Sequence, residues 1–319
     1  MQGVILAAGR GSRLRHLTRT RSKAMLPIAG RPIVERVVEL LAAQGVRDFV
    51  LVVHPDDEGI VRHFRGRAAA PRVRFAFQRE RRGMAHAVSQ ARPLIEGDFI
   101  LSACDNLVAP DDVGQLLAAW RARPQPSAVL ALLPVEPERL GSVGIVERDG
   151  PWVTRIVEKP APDEAPSDVS SLPLYIFSHR LLDYLPEISL SPRGEYEIQD
   201  AIQMLIEGEG RVRGVVLQGR MTLTHPRDLL ALNRHYLDRL DPSRQVSPTP
   251  GRGAAFVPPV LVEGGVEIGA GSTIGPSVYA EAGSRVGAGA TVRDTVLLRD
   301  AVVAPGATVS GAVLPDEAP

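Results

Sequence analysis

The chain has 319 residues, 44% of them hydrophobic and 23% charged, an ordinary soluble composition with room for one large domain and a smaller one. Lys plus Arg and Asp plus Glu each number 37, so the net charge is zero and bulk binding to nucleic acid or an acidic membrane has no support. Cys104 is the single cysteine, which excludes an intrachain disulfide; with no charged leader and no long apolar run, no signal peptide or membrane span is expected, and a reducing cytoplasm is the expected compartment.

The chain opens with Val4-Ile5-Leu6, an apolar run that reads as a buried strand. It breaks into Ala7-Ala8-Gly9-Arg10-Gly11-Ser12-Arg13-Leu14. Small residues at a strand's end let backbone N–H groups approach a ligand, and such a concavity suits phosphate. Two cations, Arg13 and Lys23, follow on a loop too polar to be core. A dinucleotide site needs a third glycine where Leu14 stands, so that match fails. The phosphate-loop string G-x-x-x-x-G-K-[ST] does not occur. The stretch Leu6 to Leu14, then Leu17-Thr18, then Ser22-Lys23-Ala24-Met25-Leu26-Pro27, resembles the signature of the sugar-1-phosphate nucleotidylyltransferases. It looks closest to the glucose-1-phosphate thymidylyl- and uridylyltransferases. That resemblance implies nucleotide binding by Leu6, Ala7, Ala8, Gly9, Gly11 and Ser12, with Arg13 and Lys23 as catalytic cations.

Apolar residues at 33, 34, 37, 38, 40 and 41 predict a helix over Arg31 to Gln44, with Pro32 near its start and Gly45 as its stop. A strand over Val46 to Val53, a short helix over Pro55 to Phe64 and a strand over Val73 to Phe77 follow. This alternation argues for a mostly parallel sheet with helices on both faces. The segment Gln78 to Ala87 resembles the family's Q-x-x-x-x-G stretch, which implies that Gln78 and Gly83 face the base. An amide offers both a donor and an acceptor to one base edge. His86 is expected to be packed or at the surface. Asp98 to Ser102 predicts a strand that delivers Asp105 at its carboxyl end, the edge where ligands of open α/β sheets gather. The resemblance implies that Asp105 holds Mg²⁺, although Cys104 replaces the family's glycine.

Pro110 to Ala122 reads as a helix and Ser127 to Leu133 as a strand; Val143 to Val157 forms a hairpin about the turn Asp149-Gly150. It ends in Glu158-Lys159-Pro160, similar to the family's E-K-P, which implies sugar-phosphate binding by Gly144, Glu158 and Lys159. A further strand is expected over Ser170 to Phe177. Arg193 to Ile202 resembles R-G-E-x-x-x-T-D-A-I, with Gln199 in place of Thr, and implies that Glu195 reaches the sugar. The last expected segment, W-x-D-I/V-G-x-P-x-D-L-L, is met only by Pro226-Arg227-Asp228-Leu229-Leu230. Aligned on that tail, the second metal carboxylate becomes Thr222. A neutral hydroxyl is a poor substitute, yet Mg²⁺ can take one carboxylate and fill its shell with phosphates and water.

Asp241 to Pro259 is rich in proline and glycine and reads as a linker. Beyond it small apolar residues recur every six positions: Val262, Ile268, Ile274, Ala280, Val286, Val292 and Leu298, then Val303 and Val309 after a one-residue slip. This is the hexapeptide repeat of a parallel β-helix. So few coils are expected to dock on another surface or subunit, giving a homo-oligomer. The seven histidines all precede residue 236, which counts against a second, acyl-transfer site there.

The expected architecture is α/β: a Rossmann-like, mixed and mostly parallel sheet over residues 1–240, a linker over 241–259, and a short left-handed parallel β-helix over 260–319. The resemblance implies an enzyme that joins a nucleoside triphosphate to a sugar-1-phosphate, giving nucleotide-sugar and pyrophosphate. Thr222 keeps a second reading open, a nucleotide-sugar-binding or regulatory subunit with weakened turnover.

Overall fold

The computed structural model describes residues 1–65, 71–161, 163–241 and 251–316. Positions 242–250 of the expected linker lie outside the described residues. The chain divides into two units, Met1–Gly9 with Val37–Arg220 and Arg10–Arg36 with Met221–Pro319.

The first unit is a nine-stranded sheet. Its left half reads, from the edge, Arg72–Phe77, Asp48–Val53, Gln2–Leu6 and Phe99–Ala103, all parallel. Asp48–Val53, Gln2–Leu6 and Phe99–Ala103 are largely buried apolar runs, whereas Arg72–Phe77 at the edge carries two arginines and is only partly covered. Val169–Phe177 follows, antiparallel to Phe99–Ala103 and to Ala128–Pro134 on its other side. Val212–Val216 then runs parallel to Ala128–Pro134. The sequence did not mark this strand, because arginine and glycine interrupt its apolar residues. The hairpin Gly144–Asp149 and Trp152–Glu158 closes the far side, pairing Gly144 with Glu158. The core holds Val4, Val50, Val52, Leu101, Leu130, Leu132, Tyr175 and Phe177 on the strands, and Ile198, Ile202 and Leu205 on the helix Ile198–Glu209. The mixed, mostly parallel sheet is the one expected.

The second unit joins the loop Arg10–Arg36 to everything after Arg220. The loop carries the three-ten turns Ser12–Thr18 and Lys23–Met25, then a short ladder pairing Pro27 with Pro32 and Ile28 with Arg31. The helix predicted from Arg31 therefore begins at Ile33, since Arg31 and Pro32 belong to that ladder. After the helix Pro226–Leu237 the chain forms the β-helix. Ala255 pairs with Thr273, Val260 with Val278 and Glu267 with Arg285, all parallel and all 18 positions apart. Three hexapeptides thus make one coil with three faces. The last coil is 17 residues round, as in Val278 with Thr295 and Arg285 with Val302, which is the slip visible in the sequence. Val262, Ile274, Ala280, Val286, Val292, Leu298 and Val303 are all buried, as the six-residue period requires.

Candidate active site

In the first unit the parallel strands deliver their carboxyl ends to one edge. Gln2–Leu6 leads into Ala7, Ala8 and Gly9, Arg72–Phe77 into Gln78, and Phe99–Ala103 into Asp105. Ala7 N–H donates to the Val52 carbonyl and Cys104 N–H to the Leu6 carbonyl, so the ladder continues into the loop starts. Ala7 and Ala8 are buried, and the space in front of Gly9 is open, since a Cβ there would meet nothing within 4 Å.

Gln78 is buried, and its amide nitrogen lies 3.1 Å from both the Gly83 carbonyl and His86 Nδ1. His86 therefore orients Gln78, a role its sequence context did not reveal. Gly83 sits at φ +91°, and a Cβ there would fall 2.6 Å from the Tyr196 carbonyl oxygen. Only glycine fits this crossing. Arg81 donates from Nε to the Ala8 carbonyl at 2.6 Å. Tyr196 N–H donates to the Arg82 carbonyl at 2.8 Å, and Ala85 N–H to the Tyr196 carbonyl at 3.1 Å. Segments distant in sequence are stitched together by these bonds.

The second cluster surrounds Gly144. A Cβ at Gly144 would lie 2.9 Å from Glu158 Oε2, 3.1 Å from Ser171 Oγ and 3.2 Å from Gln199 Nε2. The glycine backbone therefore packs directly against three polar side chains, with no room for a side chain of its own. Glu158 Oε2 and Gln199 Oε1 are buried with no hydrogen-bond partner among the described residues. Burying acceptors without partners is costly, so such atoms mark a place for a ligand's donors or for water. Burial pushes the Glu158 carboxyl above its ordinary value, against the pull of Lys159. Lys159 Nζ and Arg193 Nη2 each lie 3.5 Å from Glu158 Oε1. Lys159 itself has φ +45°, a left-handed conformation rare for a non-glycine residue and common where a side chain must be aimed. Glu195 is exposed, and the carboxylate buried near Glu158 is instead Glu197, 2.6 Å from Arg193 Nη2 and 2.9 Å from Ser191 Oγ.

Asp105 is buried just past its strand. Among the described residues no group of three or more His, Cys, Asp or Glu could hold a metal. Thr222 occupies the position the resemblance gives to a second carboxylate. Arg220, half-buried, lies in the field of Asp105. Burial lowers its pKa while Asp105 favours its charge. A single carboxylate such as Asp105 would suit a hard divalent cation whose other ligands were phosphate oxygens and water. The stretch Pro226 to Leu230, which matched the family string, also serves the fold. Asp228 Oδ2 accepts from Thr224 N–H and His225 N–H and caps the helix Pro226–Leu237. Gly11, Ser12, Arg13 and Lys23 belong to the second unit, Arg13 being exposed and Ser12 and Lys23 lying in the same loop.

The family model for nucleotidyl transferases matches residues 2–238. The chain belongs to that family. This nucleotidyl transferase is 32% identical to the bifunctional protein GlmU of Methanococcus maripaludis over 242 residues, 75% of this chain and 55% of that protein. It thus spans about half the length of the first curated relatives it matches. It is 33% identical to a glucose-1-phosphate thymidylyltransferase of Streptomyces griseus, over 84% of this chain and 74% of that one. The fold is shared with a UDP-glucose pyrophosphorylase solved with UDP-glucose, at a TM-score of 0.66 and 20% identity, covering 75% of this chain and 99% of that one. No helix among the described residues is long and apolar enough to cross a membrane.

Proposed function

We propose that this nucleotidyl transferase joins a nucleoside triphosphate to a sugar-1-phosphate, releasing pyrophosphate. The observation that carries the proposal is the polar cluster packed against Gly144, where Glu158 Oε2 and Gln199 Oε1 are buried acceptors without partners among the described residues. Sugar hydroxyls are donors that suit such acceptors. The sugar phosphate oxygen attacks the α-phosphorus in line, and the chemistry needs placement and charge neutralisation more than covalent help.

Lys159 holds the incoming phosphate, and its left-handed backbone supports an aimed side chain. Gln78, Gly83, Leu6, Ala7, Ala8, Gly9, Gly11 and Ser12 hold the nucleotide, and Glu195 reaches the sugar. Arg13 offsets charge on the triphosphate and on departing pyrophosphate, and Lys23 holds the α-phosphate side. Asp105 is the protein ligand of Mg²⁺, which when bound draws charge from the phosphates. Similarity to a thymidylyltransferase favours thymidine or uridine nucleotides with a hexose-1-phosphate. A cytoplasmic location and a homo-oligomer through the β-helix complete the proposal; light scattering on the eluted protein tests the oligomer.

A second reading has its own observation. Thr222 at the second carboxylate position, together with Arg220 in the field of Asp105, suits a nucleotide-sugar-binding subunit with weakened turnover. Pyrophosphate release across a panel of triphosphates and sugar-1-phosphates with Mg²⁺ separates the two. Release from at least one pair supports the enzyme. Tight binding of a nucleotide-sugar with no release from any pair supports the subunit.

A further inference from the structure

Arg21 lies two residues before Lys23, in a loop that belongs to the unit containing the β-helix. Its guanidinium reaches two carboxylates from far along the chain. Nη1 is 2.7 Å from Glu281 Oε1, Nη2 is 2.8 Å from Asp316 Oδ1 and Nε is 2.9 Å from Asp316 Oδ2. The contact to Asp316 is a two-pronged fork, the geometry that arginine offers and lysine does not. Thr20 Oγ1 also bonds Asp316 Oδ2. Side-chain exposures are 11% for Arg21, 6% for Glu281 and 9% for Asp316, so water competes little for these charges. Arg299 closes the far side of Glu281, with N–H to Oε2 at 2.9 Å and Nη2 to Oε1 at 3.4 Å.

The loop's other end is held as firmly. Ala29 N–H donates to Asn233 Oδ1 at 2.7 Å, and Asn233 Nδ2 donates to the carbonyls of Pro27 at 3.1 Å and Leu229 at 2.9 Å. Asn233 belongs to the helix Pro226–Leu237, and that helix is tied to the β-helix by Arg234 and Asp294. Between the two anchors sits the turn Lys23–Met25, where Met25 N–H donates to the Ser22 carbonyl. A Cβ at Gly11 would stand 2.9 Å from Lys23 Cβ, so the Gly11 backbone lies against the lysine stem. A displacement at Arg21 therefore reaches Lys23 after one intervening residue.

We propose that the β-helix sets the conformation of the Arg10–Met25 loop through Arg21, making Glu281 and Asp316 positioning residues for triphosphate binding. This rests on the nucleotidyl-transfer reading for its role in turnover, though not for its structural content. Buried ion pairs are weak sources of net stability, while breaking one side leaves an uncompensated charge. What they supply here is a fixed loop geometry.

The test uses the full chain with Glu281→Gln, Asp316→Asn and Arg21→Lys. Three readouts are taken: amide hydrogen exchange, equilibrium binding of dTTP and UTP, and the separate KM values of triphosphate and sugar phosphate. In the first two variants exchange at residues 10–25 is expected to rise at least tenfold while β-helix strand amides stay protected, with triphosphate affinity falling about tenfold, the scale of a misplaced positioning contact. The sugar-phosphate KM is expected to stay within about twofold, and Arg21→Lys to fall between wild type and the other two. Unchanged loop exchange, unchanged triphosphate affinity, or loss of protection throughout the β-helix would each overturn the proposal. If wild type releases no pyrophosphate from any pair, the enzymatic reading fails, and loop exchange with triphosphate binding still decides this one.

Discussion

Gly144 and Glu158 carry the sharpest expectations at the scale of single residues. Gly144→Ala places a methyl 2.9 Å from Glu158 Oε2 and displaces that carboxylate. The expected loss is on the order of a hundredfold in kcat/KM for the sugar phosphate, with triphosphate affinity retained; steady-state kinetics and calorimetry check it. Burial raises the Glu158 carboxyl, so falling pH protonates it sooner than an ordinary glutamate. The sugar-phosphate KM is then expected to climb as pH drops through that raised value, and Glu158→Gln to lack this acid limb. The linkage sign is the opposite of a salt-bridged acid: charging Glu158 costs stability as pH rises through the same window, so Glu158→Gln is expected to melt no lower than wild type above it. Thr222→Asp restores the family's carboxylate, and the Mg²⁺ concentration for half-maximal turnover is expected to fall. Gly83, Glu158 and Asp105 could be named from the sequence because the motifs that contain them are local strings. Gln199, Arg81 and Arg220 could not, since the groups they meet lie tens of residues away and no short pattern encodes such a pairing.

Among elements, the β-helix was the most legible and the strand Val212–Val216 the least. The repeat declares itself because every sixth residue must fill the same interior stack. Ile274, 1% exposed, is one such residue, and Ile274→Ala is expected to cost about 2–5 kcal/mol in chemical unfolding. Val212–Val216 buries only Val212 fully, and its glycine and arginine mask the period. The ladder of Pro27–Ile28 with Arg31–Pro32 was likewise hidden inside a convincing helical period, which the structure starts at Ile33.

Over the whole molecule, sequence order and spatial grouping part company. The signature loop lies within the first forty residues, yet it is grouped with the chain's end, because Arg21, Ala29 and Gly30 find their partners beyond residue 220. No local pattern could have shown this, as the ion pairs span 260 residues or more. A hexapeptide domain that looked like an appended assembly module is thereby joined to the residues that the family resemblance assigns to phosphate. The proposed reaction moves the nucleotidyl group of a nucleoside triphosphate onto a sugar phosphate. Incubation with α-labelled and, separately, γ-labelled dTTP or UTP and hexose-1-phosphates measures that transfer directly. The α label is expected in a nucleotide-sugar and the γ label in pyrophosphate. Both labels remaining in unreacted triphosphate with every sugar phosphate, or the γ label appearing as inorganic phosphate alone, would contradict it.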